Sequence, residues 1–382
     1  MTNCHETYAA LKQWRRKSGV PEIPKTSVVS PLFPGQFNYC LDESHWLEKT
    51  NSFLDMPFDD HFQKTMPAIR LADFEHFYKG ESQPDGTHLA TFTIGTVGGG
   101  HLVDAEEGNV YYLRALQGML EFLTEVIGLE RNRIVVSYFC GGMTAREIAG
   151  TRKTEDQRSK VLTEFVVPVD TCSESALREV GLYWNQRMAC NTRDNFLTTN
   201  WYVVRAPWGY RNEIFYRMDD GSLLDIATIE RLVYAPICEE RDGEWYVVGV
   251  KPWDRALIID AIGIERVTLA KQGSGRINDL PELKEMNDIG LTEREAEALR
   301  ILHRVYTDMR WQQIESKQRR TKLNCLMRIL ENVPIKKIAR ALAAHARAYD
   351  VIFPDLERGT HATLQELMEY QCRTLPQRSA VT

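Results

Sequence analysis

The sequence contains no Cys-x-x-Cys pair and no group of histidines at metal-ligand spacing; its eight cysteines, Cys4, Cys40, Cys140, Cys172, Cys190, Cys238, Cys325 and Cys372, lie far apart. That excludes a zinc site of the common spacings and a disulfide framework, and it points to a reduced, cytoplasmic protein. No apolar run approaches the ~18 residues needed to span a bilayer and no apolar signal core opens the chain, so no membrane partner is expected. Internal repeats and low-complexity segments are also missing. The run Gly98-Gly99-Gly100 lacks the lysine and serine of a P-loop and reads as a bulge or turn. His88 and His101 have no partner pattern, and no catalytic triad is indicated.

Neither sign of charge dominates. With 47 basic and 53 acidic residues in 382, the formal net charge is -6, so there is no global footprint of a nucleic-acid binder. The distribution is uneven. Between Arg300 and Arg347 stand 12 Lys or Arg against 3 acids, leaving this stretch at +9 and the remainder at -15. Such a basic patch is either a solvated face or a surface for a polyanion.

The length suits one large domain and a helical appendix. His5 to Ser18 carries Tyr8, Leu11 and Trp14 at helical spacing and stops at Gly19. Met66 to Phe74 and His88 to Val97 read as strands, and Gly108 to Gly128 as a long amphipathic helix. Arg133 to Phe139 is a further strand, Ser173 to Val180 a capped helix and Trp201 to Val204 another strand. Hairpin turns at Asp219-Asp220-Gly221 and Asp242-Gly243 precede strands at Trp245 to Val250 and Arg255 to Asp260. Tight turns in place of crossover helices predict an α+β fold with an antiparallel sheet. Lys271 to Pro281 reads as a linker between a domain over 1–272 and a helical domain over 283–382. Thr292 and Glu295 form a capping box, and Pro334 and Pro354 break the helices that follow.

Two segments carry the chemistry: Ala206 to Tyr216, APWGYRNEIFY, and Ile259 to Arg266, IDAIGIER. They resemble GPxGPxSEIFY and IDTGMGLER of the alanyl-tRNA synthetase catalytic domain, a class II aminoacyl-tRNA synthetase. Ala68 to Ala72 followed by His88 to Gly100 is a weaker match to the family's second motif, and the helix ending EFLTEVIGLE is a close one. The stretch SKQRRTKLNCLMRIL is similar to the family's acceptor-recognising helices. Together the matches cover about two-thirds of the chain.

The resemblance implies an antiparallel sheet flanked by helices, ATP and Mg2+ as cofactors, and an amino acid as substrate. Arg70 would bridge the substrate carboxylate and the α-phosphate, and Arg266 would grip the γ-phosphate, both by bidentate contacts that lysine cannot make. Phe92, Gly263 and Glu265 fall at nucleotide-site positions of the motifs. Glu213 and Asp225, on adjacent predicted strands, are candidates for magnesium or ribose. Asp260 would partner the substrate ammonium, although DAIGIER is one residue shorter than DTGMGLER. Leu197 and Thr228 stand where the family has the tryptophan of NFW and the asparagine of EIWN, and Phe92 where it has the glutamate of FFEM. Phosphate positions are thus kept while the amino-acid pocket is altered.

Full-length members add an editing domain and an oligomerisation region that this sequence does not contain. A pocket separates substrates differing by one methylene only ~10 to 200-fold, so an unedited enzyme is expected to serve a specialised biosynthetic pathway. The acceptor of the activated amino acid is a tRNA, met by Arg319, Arg320 and Lys322, or a small molecule or carrier. Pro31 to Cys40 faintly resembles the first motif, through which class II domains often form homodimers. The competing expectation is a non-catalytic paralogue that binds RNA or protein.

Overall fold

The structure is a computed structural model that describes residues 3–29, 37, 54, 59–70, 86–150, 160–198, 206–273, 275–314 and 319–378. The expected strand at Trp201 to Val204 and most of the first-motif segment lie outside the described residues.

Helix α1, Cys4–Arg15, starts where the Asn3 side chain accepts the Glu6 N–H at 2.8 Å. Its Leu11 is buried, and Trp14 meets Phe122 with ring centroids 6.0 Å apart. Strands β1, Asp60–Phe62, β2, Thr65–Ile69, β3, Thr91–Gly95, and β4, Gly100–Asp104, follow. Helix α2, Gly108–Glu121, is regular over most of the expected length, and its last turn, Phe122–Val126, widens to a π-helix. Then come β5, Ile134–Phe139, β6, Lys160–Val161, helix α3, Thr171–Glu179, capped by Asp170, and the short strands β7, Arg187–Cys190, and β8, Phe196–Leu197.

Three long strands make the centre: β9, Trp208–Arg217, β10, Leu223–Arg241, and β11, Glu244–Gly263. The hairpin between β10 and β11 turns on Asp242 and Gly243, both at positive φ, as a tight turn matched to strand twist requires. The two strands expected over 245–260 are one strand. Pro252, which lacks a ladder N–H, pairs with Tyr234 beside a register shift and so does not break it.

Among the described residues the sheet has eleven strands, with the path β1-β4-β11-β10-β9-β5-β7, β3 joining β11 to β2. It is mixed, which corrects the antiparallel expectation: β7 runs parallel to β5 and β6 parallel to β11. Helix α3 supplies the crossover that a parallel β5–β7 pair needs. One face packs on α1 and α2 through Leu11, Leu116, Met119, Ile214, Ile229 and Ile258. The opposite face gathers Met66, Leu197, Leu232, Leu257 and Ile259.

Helix α4, Ile264–Gln272, ends at Gly273 in the left-handed conformation. Beyond it lie α5, Pro281–Asp288, α6, Glu293–Thr307, with the Thr292–Glu295 capping box in place, α7, Ile335–Ala348, and α8, Leu356–Arg378. They have their own core around Leu299, Leu302, Ile338 and Leu342. Tyr349, Ile352 and Phe353 instead join the core beneath the sheet, as do Ile277 and Leu280 of the expected linker.

The outward N–H groups of β3 carry this junction. Glu297 accepts from Thr91 N at 2.9 Å, and Glu265 takes Thr93 N on both oxygens, at 3.0 and 2.9 Å, with the Thr93 hydroxyl at 2.9 Å. Tyr349 donates its hydroxyl to Glu265 at 3.0 Å, and Arg304 Nη1 donates to the Phe92 carbonyl at 3.0 Å. Glu265 is fully buried. A buried donor left without a partner costs about 1–3 kcal/mol. Glu265→Ala is therefore expected to lower the unfolding free energy by about 3 kcal/mol or more in urea titrations, and Tyr349→Phe by about 1 kcal/mol. An Ala variant as stable as the parent would remove Glu265 from this role.

Candidate functional site

Strand alternation decides which side chains share a face. On β9, Arg211, Glu213 and Phe215 point away from α2, and the register places Glu230 opposite Arg211, Thr228 opposite Glu213 and Asp225 opposite Phe215. Asp225 and Thr228 are three apart and would face opposite ways in a regular strand. The register shift at Ile226, which leaves that residue unpaired, puts both on the Glu213 face. Leu197, Leu232 and Ile259 continue this face as apolar floor.

Arg266 sits in the first turn of α4, beside this polar end. Its Nη1 donates to Asp225 Oδ2 at 2.6 Å and to the Asp225 carbonyl at 3.1 Å, and the side chain is 18% exposed. Among the described residues all its hydrogen bonds leave from Nη1. Asp225 and Arg266, expected separately at magnesium or ribose and at the γ-phosphate, are in direct contact. Arg211 donates from Nε and Nη2 to Glu230 Oε1, at 3.0 and 2.7 Å, and its Nη1 reaches Glu213 Oε1 at 3.4 Å. Burial pushes the Glu213 acid up to about 8, opposed by Arg211 and assisted by Asp225, Asp194 and Glu230. Acid outnumbers base on this face, and that excess adds to the effect of burial on Glu213.

Such a face is short of a cation. The buried Thr228 Oγ1 also has no hydrogen-bond partner among the described residues. No group of three or more metal-ligating side chains stands among them. Magnesium is commonly held by one or two carboxylates plus phosphate oxygens, so Glu213 and Asp225 fit that mode while a closed protein cage does not.

Other expected residues have different duties. Asp260 is fully buried and accepts Val97 N at 2.6 Å, Gly98 N at 2.7 Å and Gly99 N at 3.3 Å. Burial raises its acid to about 6 against the pull of those three N–H groups. It fastens the turn before β4 through these three backbone donors. The glycine run is explained by the same contact: a Cβ on Gly98 would lie 2.9 Å from Asp260 Oδ2, and one on Gly99, at φ 132°, would lie 2.5 Å from the Phe62 carbonyl. Glu265, expected at the nucleotide, clamps β3 instead. Phe92 packs against the helix-side core. Gly263 caps α4, where a Cβ would meet only Arg266 at ordinary contact distance, so space does not demand glycine. Leu197 is buried in the apolar floor, pairing with Gly209. Arg70 is exposed at the end of β2, its N–H donating to the Ala90 carbonyl at 2.8 Å. Arg319 and Arg320 open the π-helical turn Arg319–Leu323, and Lys322 within it is half-buried.

Arg211 and Glu230 were not expected at the site. The signal was present: Arg211-x-Glu213 and Thr228-x-Glu230 put polar residues at period two inside otherwise apolar strands.

No protein-family model and no curated protein matches the chain. Among solved structures it is similar to the RNA binding domain of threonyl-tRNA synthetase from Cryptosporidium parvum Iowa II, at 13% identity and a TM-score of 0.39 over 70% of this chain and 65% of that one. It is also similar to a threonyl-tRNA synthetase from Aeropyrum pernix, at 10% identity and a TM-score of 0.36 over 70% and 59%. The chain thus spans less than two-thirds of either. At these values neither likeness bears on function. No helix among the described residues is long and apolar enough to cross a membrane.

Glu213 makes stability depend on pH in a stated direction. Its folded value, about 8, lies above the ordinary 4.5, so the folded state holds the proton more tightly. The resulting stabilisation is complete below about pH 4.5 and is lost as pH rises through about 8. Melting temperature measured from pH 5 to 8 is expected to fall less steeply in Glu213→Gln than in the parent; equal slopes would contradict this protonation.

Proposed function

We propose that the protein activates an amino acid with ATP: the substrate carboxylate oxygen attacks the α-phosphorus, an aminoacyl-adenylate forms and pyrophosphate leaves. The observation that carries the reading is Arg266, oriented by Asp225 on the same sheet face as Arg211, Glu213, Thr228 and Glu230. Adenylate formation spreads negative charge over phosphate oxygens, and catalysis is mainly positioning and cationic stabilisation. A guanidinium held through one nitrogen by a carboxylate is oriented before a phosphate arrives, which is the arrangement that task needs. Magnesium, when bound, would add charge at the phosphates. Glu213 and Asp225 would hold it, with Glu213 giving up its proton on loading.

With Asp260 committed to backbone, the ammonium end of the substrate falls to the Glu213–Glu230 acids, and Leu197, Leu232 and Ile259 offer the side chain an apolar floor. The aminoacyl group then passes to a tRNA or to a small-molecule or carrier nucleophile in a specialised biosynthetic pathway. The sequence motifs in order, with Arg70 and Arg266 at the phosphate positions, support the same reading.

Amino-acid-dependent exchange of pyrophosphate into ATP is the test. Exchange is expected with at least one standard or common non-standard amino acid, and Arg266→Ala should lower its kcat/KM by ~100-fold or more, as loss of a transition-state charge contact does. No exchange with any of them would sink the proposal. If tRNA is the acceptor, binding should weaken with salt by about one unit of log–log slope per phosphate contact, and reversing the charges of Arg319, Arg320 and Lys322 should flatten that slope. Undiminished binding or transfer in the reversed variant would count against tRNA at these residues.

A further inference from the structure

Two histidines face each other inside the helical tail. His303 of α6 and His345 of α7 are both fully buried, with their Nδ1 atoms 3.0 Å apart. The hydrogen bonds around them fix where the protons sit. His303 Nε2 lies 2.8 Å from the Leu356 carbonyl, which can only accept, so that nitrogen carries its hydrogen. A neutral ring then has a lone pair at Nδ1, and His345 donates to it from its own Nδ1. His345 Nε2 is left as a bare lone pair, buried and without a partner among the described residues. The two neutral rings thereby tie α6, α7 and the first residue of α8 together.

The surroundings oppose a positive charge. Arg300 and Arg304 of α6 stand near the pair. Among the described residues no carboxylate is bonded to either ring. Glu297 is paired with Arg300, Glu265 of α4 accepts from Thr93 and Tyr349, and Glu282 and Glu285 of α5 are engaged by the Cys4 N–H and by Arg347. Helix α8 presents the Thr360 hydroxyl, 3.2 Å from His303 Nε2, while its Arg358 donates to the Thr307 carbonyl. Helix α1 brings Cys4 and His5, whose Nε2 lies 2.6 Å from the Ala348 carbonyl, and Arg328 is held by Tyr370. Burial pushes His303 down to about 4, with Arg304 adding to the effect. Burial likewise sends His345 well below its ordinary 6.5, assisted by His303, Arg304 and Arg300.

We propose that the His303–His345 pair is an acid-sensitive latch, holding the helical tail closed while both rings are neutral and opening it when either ring gains a proton. A proton on His303 Nδ1 would set two N–H groups head to head. One on His345 Nε2 would bury a cation beside two guanidinium groups with no acceptor. Opening would carry to the edge of β3, because the His345 ring packs at 5.2 Å on that of Tyr349, whose hydroxyl Glu265 accepts. The latch stands independently of the proposed adenylation.

Both rings bind protons more tightly once open, so their contribution is complete above about pH 6.5 and is lost as pH falls below it. At pH 5, about 1.5 units below that value, each histidine favours the open state by ~30-fold. Amide hydrogen exchange of α6 and α7 at pH 7.5 and pH 5, corrected for intrinsic rates, reads the opening constant. Its rise on acidification is expected to be ~30-fold smaller in His345→Asn than in the parent, because the asparagine N–H keeps the bond to His303 and one titrating ring is gone. Glu213 and Asp260 also gain protons in acid, but they are common to both proteins and cancel in the comparison. Should the Asn variant fold poorly, His303→Gln, whose side-chain N–H can still donate to the Leu356 carbonyl, is expected to reduce the rise in the same direction. The proposal is overturned if the rise in either folded variant equals that of the parent.

Discussion

The outer edge of β3 is the constraint on which the arrangement depends. Its ladder with β11 is confined to two residue pairs, Gly95 with Ile262 and Ile94 with Gly263. The N–H groups of Thr91 and Thr93, and those of Val97 to Gly99 beyond the strand, would otherwise be buried donors without acceptors. Three carboxylates meet them in order along the chain: Glu297 from α6, Glu265 from α4 and Asp260 from β11. Each stands near an arginine. Arg300 pairs with Glu297, Arg304 lies near Glu265, and Arg15 lies near Asp260 while binding the carbonyls of Lys64 and Thr96. Charges buried in this way are tolerable only when all partners are in place, so the helical tail, the sheet and α1 are satisfied together or not at all.

That clamp has a consequence for the candidate site. Glu265 and Arg266 are consecutive in the first turn of α4, and fixing the first under β3 aims the second across β10 towards Asp225. A second local device completes the alignment. The bulge at Ile226 reverses the alternation of β10 between Asp225 and Thr228, so the acid that holds Arg266 lies on the same face as the Glu213 and Glu230 acids. Neither residue pair touches through long-range folding accidents; both follow from a helix start and a one-residue register shift.

Much of the fold was legible where the signal was local. The capping box of α6, the positive-φ turn at Asp242-Gly243 and the amphipathic repeat of α2 are each written within a few residues. The parallel pairing of β5 and β7 was not, because β7 has only four residues and no alternation of its own, and without it α3 looks like an ordinary helix between antiparallel strands. The continuity of β11 through Pro252 was not legible either: a proline in mid-strand normally argues for a break, and only the partner strand's register shift beside it makes room for one. At the site, the pairing of Arg266 with Asp225 was within reach because both stood in motifs. Asp260 and Glu265 were read as ligand-facing for the same reason, and spacing cannot separate a carboxylate that faces a ligand from one that faces backbone N–H groups. Both need the same position at a strand-to-helix junction.

The contrast between Asp260 and Glu213 decides which acid is available to a cation. Asp260 has three donors, full burial and a nearby guanidinium, so an added ammonium would have to displace backbone that has no other acceptor. Glu213 has one shared guanidinium, retains some exposure at 16%, and is surrounded by more negative charge than positive. Burial is the main cause of its raised proton affinity, and the neighbouring acids add to it. A proton is the smallest cation that can correct the charge imbalance, and a metal ion or an ammonium arriving at the face would exchange with that proton without unmaking any strand. The residue that the motif points to first is therefore committed to the architecture, and in the adenylation proposed above the cation contact falls two strands across the sheet, to the acid whose burial has left it in need of a partner.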